Sequence, residues 1–238
     1  MLYIIWAILV GLILGSFYNV CILRYLAGES ILFPPSHCPH CKHQLAWFDL
    51  VPILSFVFLR GKCRYCHAPI SVQYPIVEMA SGLVAGCLAW KFGMGLEFFV
   101  YLSFSGMLFV LAGIDLRSFR LPDCMTLPGL VAAIFSGAVL LNHGWGETLG
   151  GALAGYGILW IISSGYKELR KRDGIGKGDM KLLAMIGALV GISVLPWVLA
   201  LAAIMALGVV FKFRLRRESR LPFGPWLSMA CILQILVV

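Results

Sequence analysis

The stretch Glu97-Phe-Phe-Val-Tyr-Leu-Ser-Phe-Ser-Gly-Met-Leu-Phe-Val-Leu-Ala-Gly-Ile114 decides the fold class, because it is long and apolar enough to cross a membrane as one helix. Such a helix needs about 20 largely apolar residues to span roughly 30 Å of hydrocarbon. The chain holds eight such stretches, at residues 2–23, 73–90, 97–114, 124–141, 147–164, 179–191, 194–211 and 221–238, of which the sixth is short. Of its 238 residues, 61% are hydrophobic and 13% charged, and the mean hydropathy is +0.92. We predict an all-α multi-pass membrane protein with about eight transmembrane helices, which excludes an ordinary soluble domain.

The positive charges predict how these helices are oriented. The first stretch has no charge before Arg24 and no small-residue cleavage site, so we interpret it as a retained anchor with its N-terminus outside. Alternating the spans then places 17 of the 19 Lys and Arg residues on one side, in loops 24–72, 115–123, 165–178 and 212–220. By the positive-inside rule these loops are cytosolic. The net charge of +8 is spread over four short loops, which favours contact with anionic lipid headgroups and not with nucleic acid.

The loop 24–72 carries two cysteine pairs. Cys38-Pro-His-Cys41 is followed after 21 residues by Cys63-Arg-Tyr-Cys66. This spacing is typical of a structural zinc site with four thiolate ligands, and a cytosolic location disfavours the alternative of disulfides. Nearby histidines could replace a ligand, although four thiolates already complete such a site; these are His37, His40, His43 and His67. We predict a small cytosolic zinc-binding domain.

Two aspartates lie at the cytosolic ends of apolar spans. Asp115 ends the run Phe109-Val-Leu-Ala-Gly-Ile114, where the helix dipole opposes an anion, so a functional role is favoured. Asp179 begins a span and could serve as a cap alone, but it follows three glycines, Gly174, Gly176 and Gly178. Glycines permit the close approach that an extended peptide substrate would need.

Two polar neighbours have simpler explanations. Asp123 follows Leu121-Pro122 and precedes a span, which favours a role as a helix N-cap or first-turn charge. Lys181 could pair with Asp179, bind a substrate carboxylate or extend to the lipid headgroups. Both are supporting candidates.

Two carboxylates that share a site cannot both ionise easily, so they share one proton. The ionised member can activate water while the protonated member polarises a peptide carbonyl. The pair Asp115 and Asp179 therefore predicts an aspartic peptidase. An ion- or proton-coupled transporter is the alternative from another class, but it does not explain the glycines, and the spans show no inverted halves.

The ordered set of motifs resembles the type IV prepilin peptidases over nearly the whole length. The matching segments are Gly15-Ser-Phe-Tyr-Asn-Val20 with Arg24, both cysteine pairs, Asp49-Leu-Val-Pro-Ile-Leu-Ser55, Arg60-Gly-Lys-Cys63, Tyr74-Pro-Ile-Val-Glu78, Ile114-Asp115 through Leu121-Pro-Asp123, the glycine-rich Asp179 motif and Pro222-Phe-Gly-Pro-Trp226. The resemblance implies that Asp115 and Asp179 are the catalytic pair of an intramembrane aspartic peptidase in the bacterial inner membrane.

The same resemblance implies a second activity. Enzymes of this family cut the short basic leader of prepilins or pseudopilins on the cytosolic side, then methylate the new N-terminal amine with S-adenosylmethionine. Gly61 and Glu78 are carried over as residues relevant to methylation, and a peptidase without methylation is the alternative. We expect a first helix at 1–23, a zinc-binding domain at 24–72 and a membrane-embedded peptidase domain at 73–238. The oligomeric state does not follow from the sequence.

Overall fold

The computed structural model describes residues 1–171, 176–212 and 221–237. The helices in these residues are α1 (Leu2–Ala27), α2 (Leu54–Phe58), α3 (Gln73–Phe92), α4 (Leu96–Ser118), α5 (Asp123–Phe135), α6 (Trp145–Arg170), α7 (Lys177–Val190), α8 (Leu195–Lys212) and α9 (Gly224–Val237). A 3-10 turn at Trp47–Leu50 precedes α2, and a π-helical turn at Ser136–Leu140 extends α5. The chain divides into two compact units, Met1–Ile114 and Asp115–Val238.

The predicted all-α membrane architecture is confirmed. Each of the eight predicted stretches coincides with a helix, and six of these helices are long and apolar enough to cross a membrane. The other two, α7 and α9, have 14 residues each. Helix α9 begins at Gly224, three residues after the predicted start at Leu221, because the proline at position 222 favours extended backbone in the residue before it.

Small residues bring α1 and α3 together in the first unit. Gly11 and Gly15 lie one turn apart on α1, and Gly82 and Gly86 have the same spacing on α3. A Cβ atom on Gly11 would lie 2.6 Å from the Cβ of Ala85, and one on Gly82 would lie 2.7 Å from a methyl group of α1. Such spacing lets two helix backbones approach closely, which is the usual way that membrane helices associate.

Helix α7 is the core of the second unit. It contacts α5, α6, α8 and α9, and its residues from Met180 to Val190 are buried apart from Lys181. A Cβ atom on Gly151 or Gly155 of α6 would collide with the α7 backbone, at the carbonyl groups of Gly187 and Leu183 respectively. Helix α7 carries Asp179 in its first turn.

Candidate active site and metal centre

Asp115 is a buried carboxyl group close to the C-terminal end of α4. Only 4% of the residue is exposed. Its Oδ2 atom accepts a hydrogen bond of 3.0 Å from the backbone N–H of Gly224, the first residue of α9. An acidic residue near the C-terminus of α4 is opposed by the dipole of that helix. The N-terminus of α9, which carries the Gly224 donor, offsets this unfavourable dipole.

Asp179 is the third residue of α7 and is half-buried. Its carboxyl group lies beside Gly176, the N-cap residue, and interacts electrostatically with Asp115. The structure therefore brings the two predicted aspartates together within the second unit. A glycine lies against each carboxyl group: Gly224 of α9 donates its N–H to Asp115, and Gly176, which precedes α7, lies beside Asp179.

The glycines predicted to approach a substrate have different surroundings. Gly176 is exposed beside Asp179, and a Cβ atom at position 176 would lie 3.5 Å from the Oδ2 atom of that aspartate. Gly178 faces Leu121, since a Cβ at position 178 would lie 2.9 Å from the Cβ of that leucine. This contact gives Gly178 a packing role at the start of α7. Gly174 lies outside the described residues.

The supporting residues Asp123 and Lys181 pair with each other. The Lys181 ammonium group donates to the Asp123 carboxylate at 2.6 Å, linking the first turns of α7 and α5. Asp123 supplies the predicted first-turn charge, but the N-cap of α5 is Pro122, so the capping interpretation was wrong. The sequence offered three partners for Lys181 and missed this one, because the pair joins residues 58 positions apart.

The two cysteine pairs form matching turns in the first unit. The Cys38 N–H donates to the carbonyl of His43 at 2.9 Å, and the Cys63 N–H donates to the carbonyl of Ala68 at 2.8 Å. In each turn the residue after the second cysteine, Lys42 or His67, has a φ of 58°. The repeated backbone geometry points both thiols of each pair in one direction, as a shared metal requires.

The four thiols fit a tetrahedral metal site. The sulfur atoms of Cys38, Cys41, Cys63 and Cys66 all lie within 4.8 Å of one another, and those of Cys38 and Cys66 are 3.8 Å apart. Zinc–sulfur bonds of about 2.3 Å in a regular tetrahedron place the sulfurs about 3.8 Å apart. All four cysteines are free. Among the described residues, the clustered ligand atoms come from these cysteines and not from the neighbouring histidines.

Backbone N–H groups prepare one of these thiols to bind a cation. Those of Cys66 and Tyr65 lower the pKa of the Cys63 thiol to about 7. The thiolate is the form that binds metal, so the turn favours the ligand state of Cys63. For Cys66 the Ala68 N–H lowers the thiol pKa, but burial and the neighbouring thiols raise it to about 11.

An ion pair between the exposed Arg64 and the buried Asp49 supports the second cysteine turn. Arg64, between Cys63 and Cys66, donates from Nε to the buried Asp49 carboxylate at 2.8 Å. Its guanidinium carbon lies 4.9 Å from the centre of the Phe48 ring. The sequence did not predict this contact. The signal that could have pointed to Asp49 was the family motif that begins at this residue.

Glu78 and Gly61 lie at contacts with the segment around α2. Glu78 is 5% exposed and accepts a hydrogen bond of 2.8 Å from the N–H of Ile53, which precedes α2. Gly61 follows α2, has a φ of 69° and donates its N–H to the carbonyl of Phe56 at 2.9 Å. The structure thus connects both residues to one short segment, which leads into the second cysteine turn.

Comparison with known proteins supplies the family. Residues 9–92 match the bacterial peptidase A24 N-terminal domain, and residues 102–211 match the type IV leader peptidase family. A Burkholderia pseudomallei protein named prepilin leader peptidase/N-methyltransferase is 38% identical, over 94% of this chain and 82% of its own length. Proteins of the same name from Stutzerimonas stutzeri and Neisseria gonorrhoeae are 35% and 33% identical, over 96% and 94% of this chain and 88% and 87% of their own lengths. No solved structure matches the chain. The chain therefore belongs to the type IV leader peptidase family.

Proposed function

We propose that this enzyme removes the short basic leader of type IV prepilins or pseudopilins at the cytosolic face of the bacterial inner membrane, and then methylates the new N-terminus. The electrostatic contact between Asp115 and Asp179, with Asp115 held by the Gly224 N–H, is the observation that carries the peptidase half. The names of the relatives, which include both activities, support the two-step reaction.

The carboxyl pair performs the hydrolysis in this proposal. One aspartate, as the anion, takes a proton from water, and the water oxygen attacks the peptide carbonyl carbon. The other, as the acid, donates a hydrogen bond to the carbonyl oxygen. The carbon–nitrogen bond then breaks, and a proton from the pair passes to the leaving amine. Gly176, exposed beside Asp179, leaves room for the extended peptide.

The distribution of positive charge supports a cytosolic active site with the N-terminus outside. The basic loops predicted to be cytosolic include 115–123 and 165–178, which adjoin Asp115 and Asp179 in sequence. A basic leader resists passage across the membrane for the same reason. Substrate leader and catalytic pair are therefore on one side.

Zinc is the metal that we assign to the four cysteines. A closed site of four thiolates contributes folding energy to the module around it. Cys38, Cys41, Cys63 and Cys66 would hold the ion and so fix the loop 24–72, including the segment around α2.

We propose that the methyl donor acts through residues of the first unit. When bound, S-adenosylmethionine supplies a methyl group from a positively charged sulfur. The Glu78 carboxylate, buried and bonded to the Ile53 N–H, would attract a positively charged ligand placed beside it. Gly61 forms the turn that follows α2, and Ile53, the residue that donates to Glu78, precedes the same helix. The freed amine must be neutral to accept a methyl group.

A mass measurement tests the two activities together. Membranes that contain the enzyme are incubated with a prepilin, with and without S-adenosylmethionine, and the products are weighed. We expect cleaved product without the donor and cleaved product carrying one added methyl mass with it, the methylated fraction rising with pH through the amine pKa of about 8. Cleaved product without the methyl mass, up to about pH 8.5, would show that the enzyme is a peptidase without methylation activity. An intact precursor would contradict the whole proposal and favour a transporter.

A further inference from the structure

Helix α9 donates a hydrogen bond to the Asp115 carboxyl group. Gly224 opens the helix, and its N–H is directed to the Asp115 Oδ2 atom. The next residue, Pro225, has no N–H. The N–H groups of Trp226 and Leu227 are directed to the carbonyl of Phe223, at 3.1 and 3.2 Å. Of the N–H groups named in this first turn, that of Gly224 donates outside the helix, to Asp115.

The Asp115 carboxyl group also occupies the space that a side chain at position 224 would need. A Cβ atom there would lie 2.7 Å from Oδ2 and 3.3 Å from Cγ of Asp115. Both distances are shorter than ordinary contacts between such atoms, so any side chain at 224 would push the carboxyl group away from its position.

We propose that Gly224 is a positioning residue of the peptidase site: its N–H fixes the Asp115 carboxyl group, and its missing side chain leaves the room in which that group acts. The inference rests on the proposed function. A carboxyl group with one oxygen fixed presents the other in a defined direction, which proton transfer in a prearranged site requires. The positive end of α9 also offsets the negative end of α4 at this point.

The first test is kinetic. Replacement of Gly224 by alanine (Gly224→Ala) is expected to lower kcat for prepilin cleavage at least about tenfold, as the loss of a hydrogen bond to a charged group does, while KM stays within about twofold. Gly208→Ala is the matched control, because a Cβ on Gly208 of α8 meets nothing within 4 Å. An unchanged kcat in Gly224→Ala would overturn the proposal, and so would an equal loss in Gly208→Ala.

The second test needs no folded Gly224 variant. A phenylalanine precedes a glycine at two places, Phe92-Gly93 and Phe223-Gly224. Enzyme labelled with carbonyl-13C phenylalanine and 15N glycine therefore gives two correlated amide signals in detergent micelles. We expect Asp115→Asn to move the Gly224 amide proton upfield by more than the Gly93 proton, because an amide oxygen is a weaker acceptor than a carboxylate. Equal or absent shifts would overturn the proposal.

These readouts separate this proposal from the proposed function. Wild-type enzyme that cleaves no prepilin would defeat the function, whereas the amide shift reports the contact alone. Wild-type enzyme that cleaves normally, together with a Gly224→Ala variant of unchanged kcat, would defeat the positioning role and leave the function intact.

Discussion

The four-cysteine cluster and the aspartate site are assembled in opposite ways. In the cysteine cluster each half is built by neighbours along the chain: the Cys38 N–H donates to the carbonyl of His43, five residues away, and the second turn repeats the pattern. In the aspartate site Asp115 is bound to Gly224, 109 residues away, and Asp179 lies on a third helix. Damage to one cysteine turn is therefore local, whereas the aspartate pair depends on how three helices pack.

The same difference explains what the sequence could predict. The spacing of Cys38, Cys41, Cys63 and Cys66 predicted their cluster, because a two-residue gap constrains where both thiols point. Hydrophobic length predicted eight of the nine helices in the described residues near their observed positions; the exception is the short α2.

Contacts between distant residues were not predictable in this way. The Gly224 donor and the ion pair of Lys181 with Asp123 depend on helix packing, and neither leaves a periodic pattern in the sequence. A glycine between two prolines at the start of an apolar stretch was the one local signal at position 224. The pairing of Asp115 with Asp179 was predicted from chemistry, since two carboxylates at one depth of a membrane favour a shared site.

The largest effect is expected at the aspartate pair. Asp115→Asn and Asp179→Asn should each slow prepilin cleavage at least about 100-fold, because an amide neither takes a proton from water nor returns one. Product mass with time measures the rate. Methylation of a pilin supplied already cleaved should persist, which checks that the variant is folded. Cleavage at the wild-type rate by either variant would remove that residue from the pair.

Replacement of one cysteine pair by serine should have the next largest effect. Cys63→Ser with Cys66→Ser is expected to remove the roughly one zinc per chain that metal analysis should find in the wild type, because a hydroxyl is a far poorer ligand than a thiolate. Methylation should fall at least as severely as cleavage. Cys124→Ser, which changes an exposed cysteine outside the cluster, is the control and should retain zinc. Metal-free wild-type protein with disulfides would contradict the assignment.

Packing around α7 should affect the aspartate site without affecting the metal. Gly155→Ala forces a Cβ against the carbonyl of Leu183, a core clash that costs about 1–3 kcal/mol of stability. Gly157→Ala, on the same helix with nothing within 4 Å of the new Cβ, is the control. We expect a lower melting temperature and reduced cleavage for the first variant alone, with zinc content equal in both. Zinc loss in Gly155→Ala would show that the two sites are not independent.

The smallest effect is expected at Asp123. Its side chain is 60% exposed, and an ion pair in such a setting contributes at most about 1 kcal/mol. Asp123→Asn should therefore keep cleavage within about fivefold of the wild-type rate. A loss as large as that of Asp179→Asn would instead place Asp123 in the chemical step.

The most direct measurement is a double-mutant cycle on the proposed catalytic pair. Residual cleavage rates are compared for Asp115→Asn, Asp179→Asn and the variant that carries both changes. Residues that act as a unit give strongly non-additive losses, so the double variant should be no more than about threefold slower than the slower single variant. A double loss equal to the product of the two single losses would contradict a shared site and show that Asp115 and Asp179 act separately.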